Sequence, residues 1–173
     1  MNRWIYALPA GALLIIAVFG GWQMMQPSRG EFERISRDAP DHVFPLIEGG
    51  SIAFAPPPGG EPVIVNLFAS WCAPCELEHE HLMTLGERHP GQLYGVLYKD
   101  TPERGAAFLA RLGNPFTEIA LDPEGRGGLN FGLTGVPETF VISGEGEILL
   151  HIGGPLDDAL TEKVSGALVA PRS

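Results

Sequence analysis

Cysteine is scarce in this chain of 173 residues, which contains only Cys72 and Cys75. Small secreted domains that depend on disulfides for stability contain more cysteines. With 45% hydrophobic residues, this chain has enough apolar side chains to form a core without such crosslinks. The low count therefore excludes a disulfide scaffold and favours a chemical role for the pair.

Basic residues are also few, because 11 lysines and arginines stand against 21 aspartates and glutamates, for a formal net charge of −10. Binding to nucleic acid depends largely on neutralising phosphates with a basic surface. This charge balance excludes nucleic acid as a partner and indicates a well-hydrated acidic surface.

Charge is absent altogether from residues 4–22. A helix over this stretch spans roughly 28 Å at about 1.5 Å per residue, close to the hydrocarbon thickness of a bilayer. Trp4, Tyr6 and Trp22 lie near its ends, where aromatic rings favour the membrane interface. We predict an uncleaved membrane anchor with the rest of the chain outside the cytoplasm. A cleaved signal peptide is the alternative, disfavoured because no small-x-small cleavage site follows.

The rest of the chain divides into a polar, proline-containing linker and one globular domain. The apolar runs 63–68 and 93–98 are typical of strands buried on both faces. A helix follows each of them, and the second helix, 102–112, begins after the N-cap Thr101. We predict an anchor, a linker and a domain at residues 1–25, 26–41 and 42–173.

The later part of the domain continues with a glycine-rich stretch and then two strands, 139–142 and 148–152, joined by a hairpin sequence. An amphipathic helix from Asp157 closes the chain. Residues 44–47 and 52–54 predict a small N-terminal hairpin. The fold class that this order predicts is α/β and thioredoxin-like, with a mixed sheet flanked by helices and an N-terminal β extension.

Cys72 and Cys75 lie where the first buried strand gives way to a helix. A cysteine at a helix N-terminus is favoured as thiolate by the helix dipole and by unpaired backbone N–H groups. We predict that Cys72 attacks a partner and that Cys75 resolves the mixed disulfide, with no cofactor beyond this redox-active pair.

Other uses of the Cys-x-x-Cys spacing fit less well. A structural zinc site needs four ligands, and His79 and His81 are expected on a solvated helix face rather than at a metal. Covalent haem attachment requires histidine where Glu76 stands. A structural disulfide closing so short a loop would constrain little of the unfolded chain. We therefore predict redox chemistry and no metal.

Glu78 shares one helical stripe with Cys75, Leu82 and Leu85. Because the stripe is otherwise apolar, we expect the carboxyl to be partly buried and its pKa raised. It would then accept the proton of Cys75 when the mixed disulfide is resolved. The alternative is an acid at the margin of the stripe that only helps an early helix turn.

Further motifs accompany the cysteines: WCAPC at 71–75, YKD at 98–100, LGNP at 112–115 and GVPETF at 135–140. Together with the anchor, these motifs resemble the CcmG/DsbE family of membrane-tethered thiol–disulfide proteins of cytochrome c maturation. The resemblance implies a protein held in the inner membrane through residues 4–22, with its soluble domain in the periplasm. There it would act as a reductant that keeps the haem-attachment cysteines of apocytochrome c reduced. It also implies a membrane electron donor of the DsbD/CcdA type.

The resemblance further implies roles for individual residues. Pro137 is the cis-proline facing the cysteines, and Glu78 matches the acid three residues after the second cysteine. The backbone of Val136 is expected to pair with an extended partner peptide. The residues implied to bind substrate are Trp71, Tyr98, Asp100, Val136, Pro137, Glu138 and Thr139.

The dipeptide Ala73–Pro74 instead resembles TlpA/ResA-type proteins, so a thiol reductase of broader substrate range remains an alternative. A holdase that uses its groove without redox turnover is an alternative from another class. A peroxidase is disfavoured because Ala69 stands three residues before Cys72, where threonine is usual. The resemblance implies a potential nearer to that of thioredoxin than to the about −120 mV of the oxidant DsbA.

Overall fold

The computed structural model describes residues 31–33 and 37–169 of the chain. The strands β1 to β9 are Glu31–Glu33, Arg37–Asp38, Val43–Pro45, Ser51–Ala53, Val63–Phe68, Leu93–Tyr98, Ile119–Asp122, Glu138–Ile142 and Glu147–Gly153. The helices α1 to α5 are Ala73–Leu77, His79–Arg88, Pro102–Leu112, Arg126–Phe131 and Asp158–Val169.

One mixed sheet forms the centre of the domain. Within the described residues its order is β1-β9-β8-β5-β6-β7, and β2 also pairs with β9. The strands β5, β6 and β7 are parallel, whereas β8 and β9 run antiparallel to their neighbours. The predicted change from parallel to antiparallel pairing is confirmed, and with it the thioredoxin-like α/β class.

The strand β5 lies at the middle of this sheet with both faces covered, and all six of its residues are buried. Ile64 and Phe68 belong to the core cluster that also contains residues of α2, α3 and α5. Val65 and Leu67 point to the opposite face and join the cluster formed with the N-terminal hairpin. The nearly continuous apolar run 63–68 therefore forms a central strand, as its composition predicts. Asn66 is its one polar member.

The helices after β5 and β6 follow the predicted pattern, with one difference. Thr101 caps α3, because its hydroxyl accepts a hydrogen bond from the Arg104 N–H at 3.4 Å. Gly113 ends that helix with a φ of 99°, a conformation that glycine adopts without a steric penalty. The helix predicted to end near Arg88 is divided into α1 and α2 at Glu78, whose ψ is −8°.

The predicted N-terminal hairpin is present as β3 paired with β4. The glycine-rich stretch, however, contains the short helix α4, which its composition does not predict. The carboxylate of Asp122 holds the start of α4 by accepting hydrogen bonds from the N–H groups of Gly127 and Gly128, at 3.1 and 2.7 Å. Because these glycines lack a Cβ, the rings of Phe44 and Tyr98 pack directly against the helix backbone.

The strands β1 and β2 fall inside the range predicted as a linker. Phe32 lies opposite Ile152 and Arg37 lies opposite Ile148, so both strands run antiparallel to β9. The described sheet therefore includes two short strands from this range, because β9 offers an edge on which even a polar segment can pair.

The predicted anchor, residues 4–22, lies outside the described residues. In the part of the chain that the structure describes, no helix combines the length and the apolar character needed to cross a bilayer. The anchor and the division of the chain at residues 25 and 41 stay predictions.

Gly127→Ala is expected to destabilise the domain, because an added Cβ would overlap the Phe44 ring. Overpacking of this kind typically costs about 1–3 kcal/mol. Gly166 is the matched control, since it lies in α5 with nothing within 4 Å of an added Cβ. Gly166→Ala is expected to stabilise the helix by roughly 0.5–1 kcal/mol. Urea unfolding measures both changes, and an unaltered stability in Gly127→Ala would contradict the tight packing of α4 on the hairpin.

Candidate active site

The two cysteines lie at the start of α1, directly after the carboxyl end of β5. They form a disulfide with their Cα atoms 5.3 Å apart. Cys72 is the N-cap of α1, and its sulfur accepts a hydrogen bond from the Cys75 N–H at 3.2 Å. Cys72 is 5% exposed and Cys75 only 1%. An incoming thiol therefore reaches Cys72 first, and the helix N-terminus favours negative charge on that sulfur once the disulfide opens.

The turn between β5 and α1 is held by the YKD segment at the end of β6. Asp100 is buried, and its carboxylate accepts hydrogen bonds from the N–H groups of Ser70, at 2.7 Å, and Thr101, at 2.8 Å. The indole N–H of Trp71 donates to the Lys99 carbonyl oxygen at 3.2 Å, while the side chain is exposed. Asp100 thus holds the active-site turn, and Trp71 presents an apolar ring beside the disulfide.

A second loop, which precedes β8, faces the disulfide. The Val136–Pro137 peptide bond is cis, as the resemblance implies. The carbonyl oxygen of Val136 lies 3.4 Å from the Cys72 sulfur. The next carbonyl, that of Pro137, accepts a hydrogen bond from the Gly154 N–H at 2.9 Å. The backbone of this loop therefore forms one wall beside Cys72.

Glu138 holds the same loop from inside the protein. Its Oε1 accepts hydrogen bonds from the N–H and hydroxyl of Thr134, at 2.8 and 2.6 Å, and from the Gly135 N–H at 3.1 Å. Its Oε2 lies 2.6 Å from Nε2 of His151, whose ring stacks on Phe140. Burial opposes ionisation of Glu138, but the hydrogen bonds from His151 and Thr134 outweigh it and lower the pKa of the carboxyl.

Glu78, three residues after Cys75, has a completely buried side chain. Its Oε1 accepts a hydrogen bond from the Asn66 amide at 2.9 Å, and its Oε2 accepts one from the Leu156 N–H at 2.8 Å. Burial raises the pKa of Glu78 to about 7, although both hydrogen bonds act to lower it. The expected buried carboxyl with a raised pKa is confirmed, and its role in proton transfer stays a prediction. A pKa near neutrality suits a group that takes up and returns a proton.

Asn66 connects Glu78 to the second loop, because its amide also donates to the Thr139 hydroxyl at 3.0 Å. Its Oδ1 is buried and has no hydrogen-bond partner among the residues the structure describes. Sequence reasoning missed Asn66 as a site residue. The sequence does contain a signal for Asn66, because it is the single amide in an otherwise apolar central strand. A buried polar side chain normally has a hydrogen-bond partner, so such a residue points to a partner nearby.

The structure places the predicted substrate-binding residues around the carboxyl end of β5, but at different depths. Trp71 is exposed, and Val136 and Tyr98 are partly exposed. Asp100, Glu138 and Thr139 are buried and hydrogen-bond within the protein. The contacts of the buried three position loops and side chains around the disulfide, so their direct contact with substrate stays a prediction.

The expectation that His79 lies on a solvated face is wrong. The residue is buried, its Nε2 lies 3.0 Å from the Gly113 carbonyl oxygen, and its ring packs edge-on against Phe108. Burial lowers the pKa of His79. Charged neighbours along the helix suggested a surface position, but α3 covers this side of α2. In residues 31–33 and 37–169, no group of three or more His, Cys, Asp and Glu side chains is placed to hold a metal ion.

A thioredoxin-like sheet that carries a Cys-x-x-Cys disulfide opposite a cis-proline loop defines a thiol–disulfide oxidoreductase. The Redoxin family model matches residues 38–167. DsbE of Pseudomonas fluorescens is 32% identical over 161 residues, which cover 92% of this chain and 90% of that protein. The DsbE homologue of Paracoccus denitrificans is 37% identical over 153 residues, covering 86% and 84%. The chain belongs to the DsbE family of thiol:disulfide interchange proteins.

Other comparisons agree with this assignment. HelX of Rhodobacter capsulatus, a thiol:disulfide interchange protein, is 46% identical over 111 residues, which cover 63% of this chain and 62% of HelX. A crystal structure described as DsbE of Chlorobium tepidum superposes with a TM-score of 0.66 at 25% identity, covering 80% of this chain and 99% of that one. A DsbF homologue of Corynebacterium diphtheriae shares the fold, with a TM-score of 0.69 at 18% identity and coverage of 83% and 96%.

Glu78→Gln is expected to remove a pH dependence of stability. Because the native pKa is about 7 against an ordinary 4.5, the folded protein holds this proton more tightly than the unfolded chain. The resulting stabilisation is complete below the unfolded pKa and is lost as the pH rises through 7, by about 3 kcal/mol. Denaturant unfolding of the oxidised protein between about pH 4 and about pH 8 measures this slope. Glu80→Gln removes an exposed acid only two residues away and should leave this pH dependence in place. A pH dependence that persists in Glu78→Gln would contradict the assignment.

His151→Leu is expected to destabilise the loop before β8, because it removes a hydrogen bond to the buried Glu138 carboxylate. An unsatisfied buried group of this kind costs about 1–3 kcal/mol, or more when charged. We expect the free energy of unfolding to fall by this amount. We also expect a raised KM for a disulfide peptide, because the loop beside Cys72 is held less firmly. His151→Gln retains an N–H donor and should recover most of both properties. Identical behaviour of the two variants would show that the hydrogen bond is not what positions the loop.

Proposed function

We propose that the protein is a membrane-anchored periplasmic reductant of apocytochrome c, acting on disulfides between its haem-attachment cysteines. The observation that carries the proposal is the Cys72–Cys75 disulfide at a helix N-terminus, facing the Val136–Pro137 loop and backed by buried Glu78. Membership of the DsbE family supports it, because the family motifs are those of cytochrome c maturation proteins. The uncharged stretch 4–22 supports the anchor.

The reaction begins with the reduced dithiol. The Cys72 thiolate attacks one sulfur of the target disulfide, whose S–S bond breaks as a mixed disulfide forms and the first target thiol leaves. Cys75 then gives its proton to Glu78 and attacks the Cys72 sulfur. The second target thiol is released and the Cys72–Cys75 disulfide forms, so two electrons have passed from the protein to its target.

The environment of Glu78 suits the second half of this reaction. Its pKa of about 7 allows the carboxylate to accept a proton from Cys75 near neutral pH. Because the carboxyl is completely buried, bulk water does not compete for that proton directly. The proton returns to Cys75 when a donor reduces the disulfide again, so one group serves both directions.

The electrons come from a membrane thiol donor of the DsbD/CcdA type, which reopens the Cys72–Cys75 bond by the same exchange in reverse. The disulfide is the redox group that the reaction requires, and no metal or organic cofactor takes part. The target peptide lies extended against the backbone of Val136, near the exposed ring of Trp71, the residue before Cys72.

A thiol reductase of broader substrate range is the second candidate. The observation that favours it is the dipeptide Ala73–Pro74 between the cysteines, which is similar to that of TlpA/ResA-type proteins. The two candidates share every chemical step and differ only in the proteins that reach Cys72.

Cys75→Ser is expected to trap the natural partners as mixed disulfides on Cys72, because the resolving thiol is missing. Mass spectrometry of adducts isolated from membranes identifies them. Capture of apocytochrome c or its maturation machinery supports the proposal, whereas a population dominated by other exported proteins favours the broader reductase.

The double variant Cys72→Ser/Cys75→Ser is the matched control and should capture nothing. Cys72→Ser alone should abolish cytochrome c maturation in cells. Preserved maturation would contradict a redox role and favour a holdase that uses only the groove.

A further inference from the structure

The strand β1 determines where the chain enters the domain. Glu31 lies opposite Gly153, and Glu33 lies opposite His151. Gly153 in turn lies opposite Glu138, the first residue of β8 and the neighbour of the cis-proline. The chain therefore joins the sheet at the same end as the loop that faces the disulfide.

The strand β2 shows the direction that the chain then takes. Arg37 lies opposite Ile148 and Asp38 opposite Glu147, beside the hairpin turn that joins β8 to β9. That turn is at the end of the sheet opposite the disulfide. From β1 to β2 the strands therefore lead away from the active site, and Glu31 is attached to the preceding residues at the active-site end.

The entry point is also close to the disulfide across the sheet. In the strand order β1-β9-β8-β5, three spacings separate β1 from the strand that delivers Cys72. At about 4.8 Å per spacing, the lateral separation is roughly 15 Å. The disulfide and the entry point therefore share one end of the domain.

The connection from this point to the predicted anchor is short. Residues 23–30 lie between the end of the uncharged stretch and β1. Eight residues span at most roughly 29 Å when fully extended, and about 16 Å as a flexible chain. A domain of this size has a radius of gyration of about 14 Å, hence a diameter of roughly 36 Å. The connection is shorter than the domain is wide, so the end to which it is attached stays nearest the bilayer.

We propose that the Cys72–Cys75 end of the domain faces the membrane and docks a thiol pair presented at the lipid surface by an integral membrane protein. This rests on the anchor in the proposed function. The occupant is a thiol pair rather than lipid, because this end of the domain is centred on a disulfide, which exchanges with thiols.

Two matched labels test the orientation in the full chain, in a Cys72→Ser/Cys75→Ser background reconstituted into vesicles. Glu103→Cys lies in the first turn of α3, just after the Asp100 that holds the active-site turn. Glu61→Cys lies just before β5, at the far end of the sheet. Both glutamates are exposed. Energy transfer from each fluorophore to an acceptor lipid should be greater at position 103, and equal or reversed transfer would overturn the proposal.

A second variant changes the attachment without touching the active site. Glu31→Pro/Glu33→Pro removes two backbone donors from β1 and disfavours its pairing with β9. Attachment then shifts towards β2 at the far end, so the difference in transfer between the two labels should shrink or reverse. An unchanged difference would show that β1 does not set the orientation.

The partner is tested by rates of reduction, with both cysteines restored. The proline variant should be reduced by dithiothreitol at the parent rate but more slowly by isolated membranes. Equal rates for the variant and the parent in both assays would contradict a partner held in the membrane.

Flotation with vesicles tests the anchor separately. If the parent chain does not float with vesicles, both the anchor and this proposal are wrong, while trapping through Cys72 still tests the reductase chemistry.

Discussion

The active-site end of this domain depends on buried carboxylates that accept hydrogen bonds from the backbone amides of irregular segments. Asp100 holds the turn before Cys72, Glu138 holds the loop before the cis-proline, and Asp122 holds the start of α4. Glu78 does the same for the amide at Leu156. Loops have no strand ladder to satisfy their N–H groups, and a buried unpaired amide costs about 1–3 kcal/mol. The carboxylates accept the hydrogen bonds that a neighbouring strand would otherwise accept. They thereby fix the conformation of the segments around the disulfide.

The same carboxylates affect the chemistry of the disulfide they surround. The helix N-terminus favours a thiolate at Cys72, but the Val136 carbonyl oxygen at 3.4 Å and the ionised Glu138 behind it oppose negative charge there. DsbA is a strong oxidant because its reduced form is stabilised. Where the surroundings stabilise the thiolate less, the reduced form is less stable and the dithiol is a better reductant. These electrostatics support the reductant role that we propose.

Much of the fold follows from local patterns in the sequence. The apolar run of β5, the cap at Thr101 and the hairpin spacing of β8 and β9 each predict an element from its own residues. The short helix α4 depends instead on Asp122, and the pairing of β1 depends on the free edge of β9, so neither is visible in its own segment. The same distinction applies to the site. A stripe predicts the burial of Glu78, whereas the internal roles of Asp100 and Glu138 arise only when distant loops meet.

The depth of the site residues limits how a partner is recognised. Cys75 lies behind Cys72, and the nearby acids are turned inward, so an approaching peptide meets mainly the Trp71 ring and the backbone at Val136. Backbone pairing and contact with an apolar ring discriminate little between peptide sequences. A groove of this kind accepts many cysteine-containing segments. Selectivity then has to come from where the domain is held and which disulfides can reach that place. In the anchored protein that we propose, the short connection at the active-site end would therefore contribute to specificity as well as to attachment.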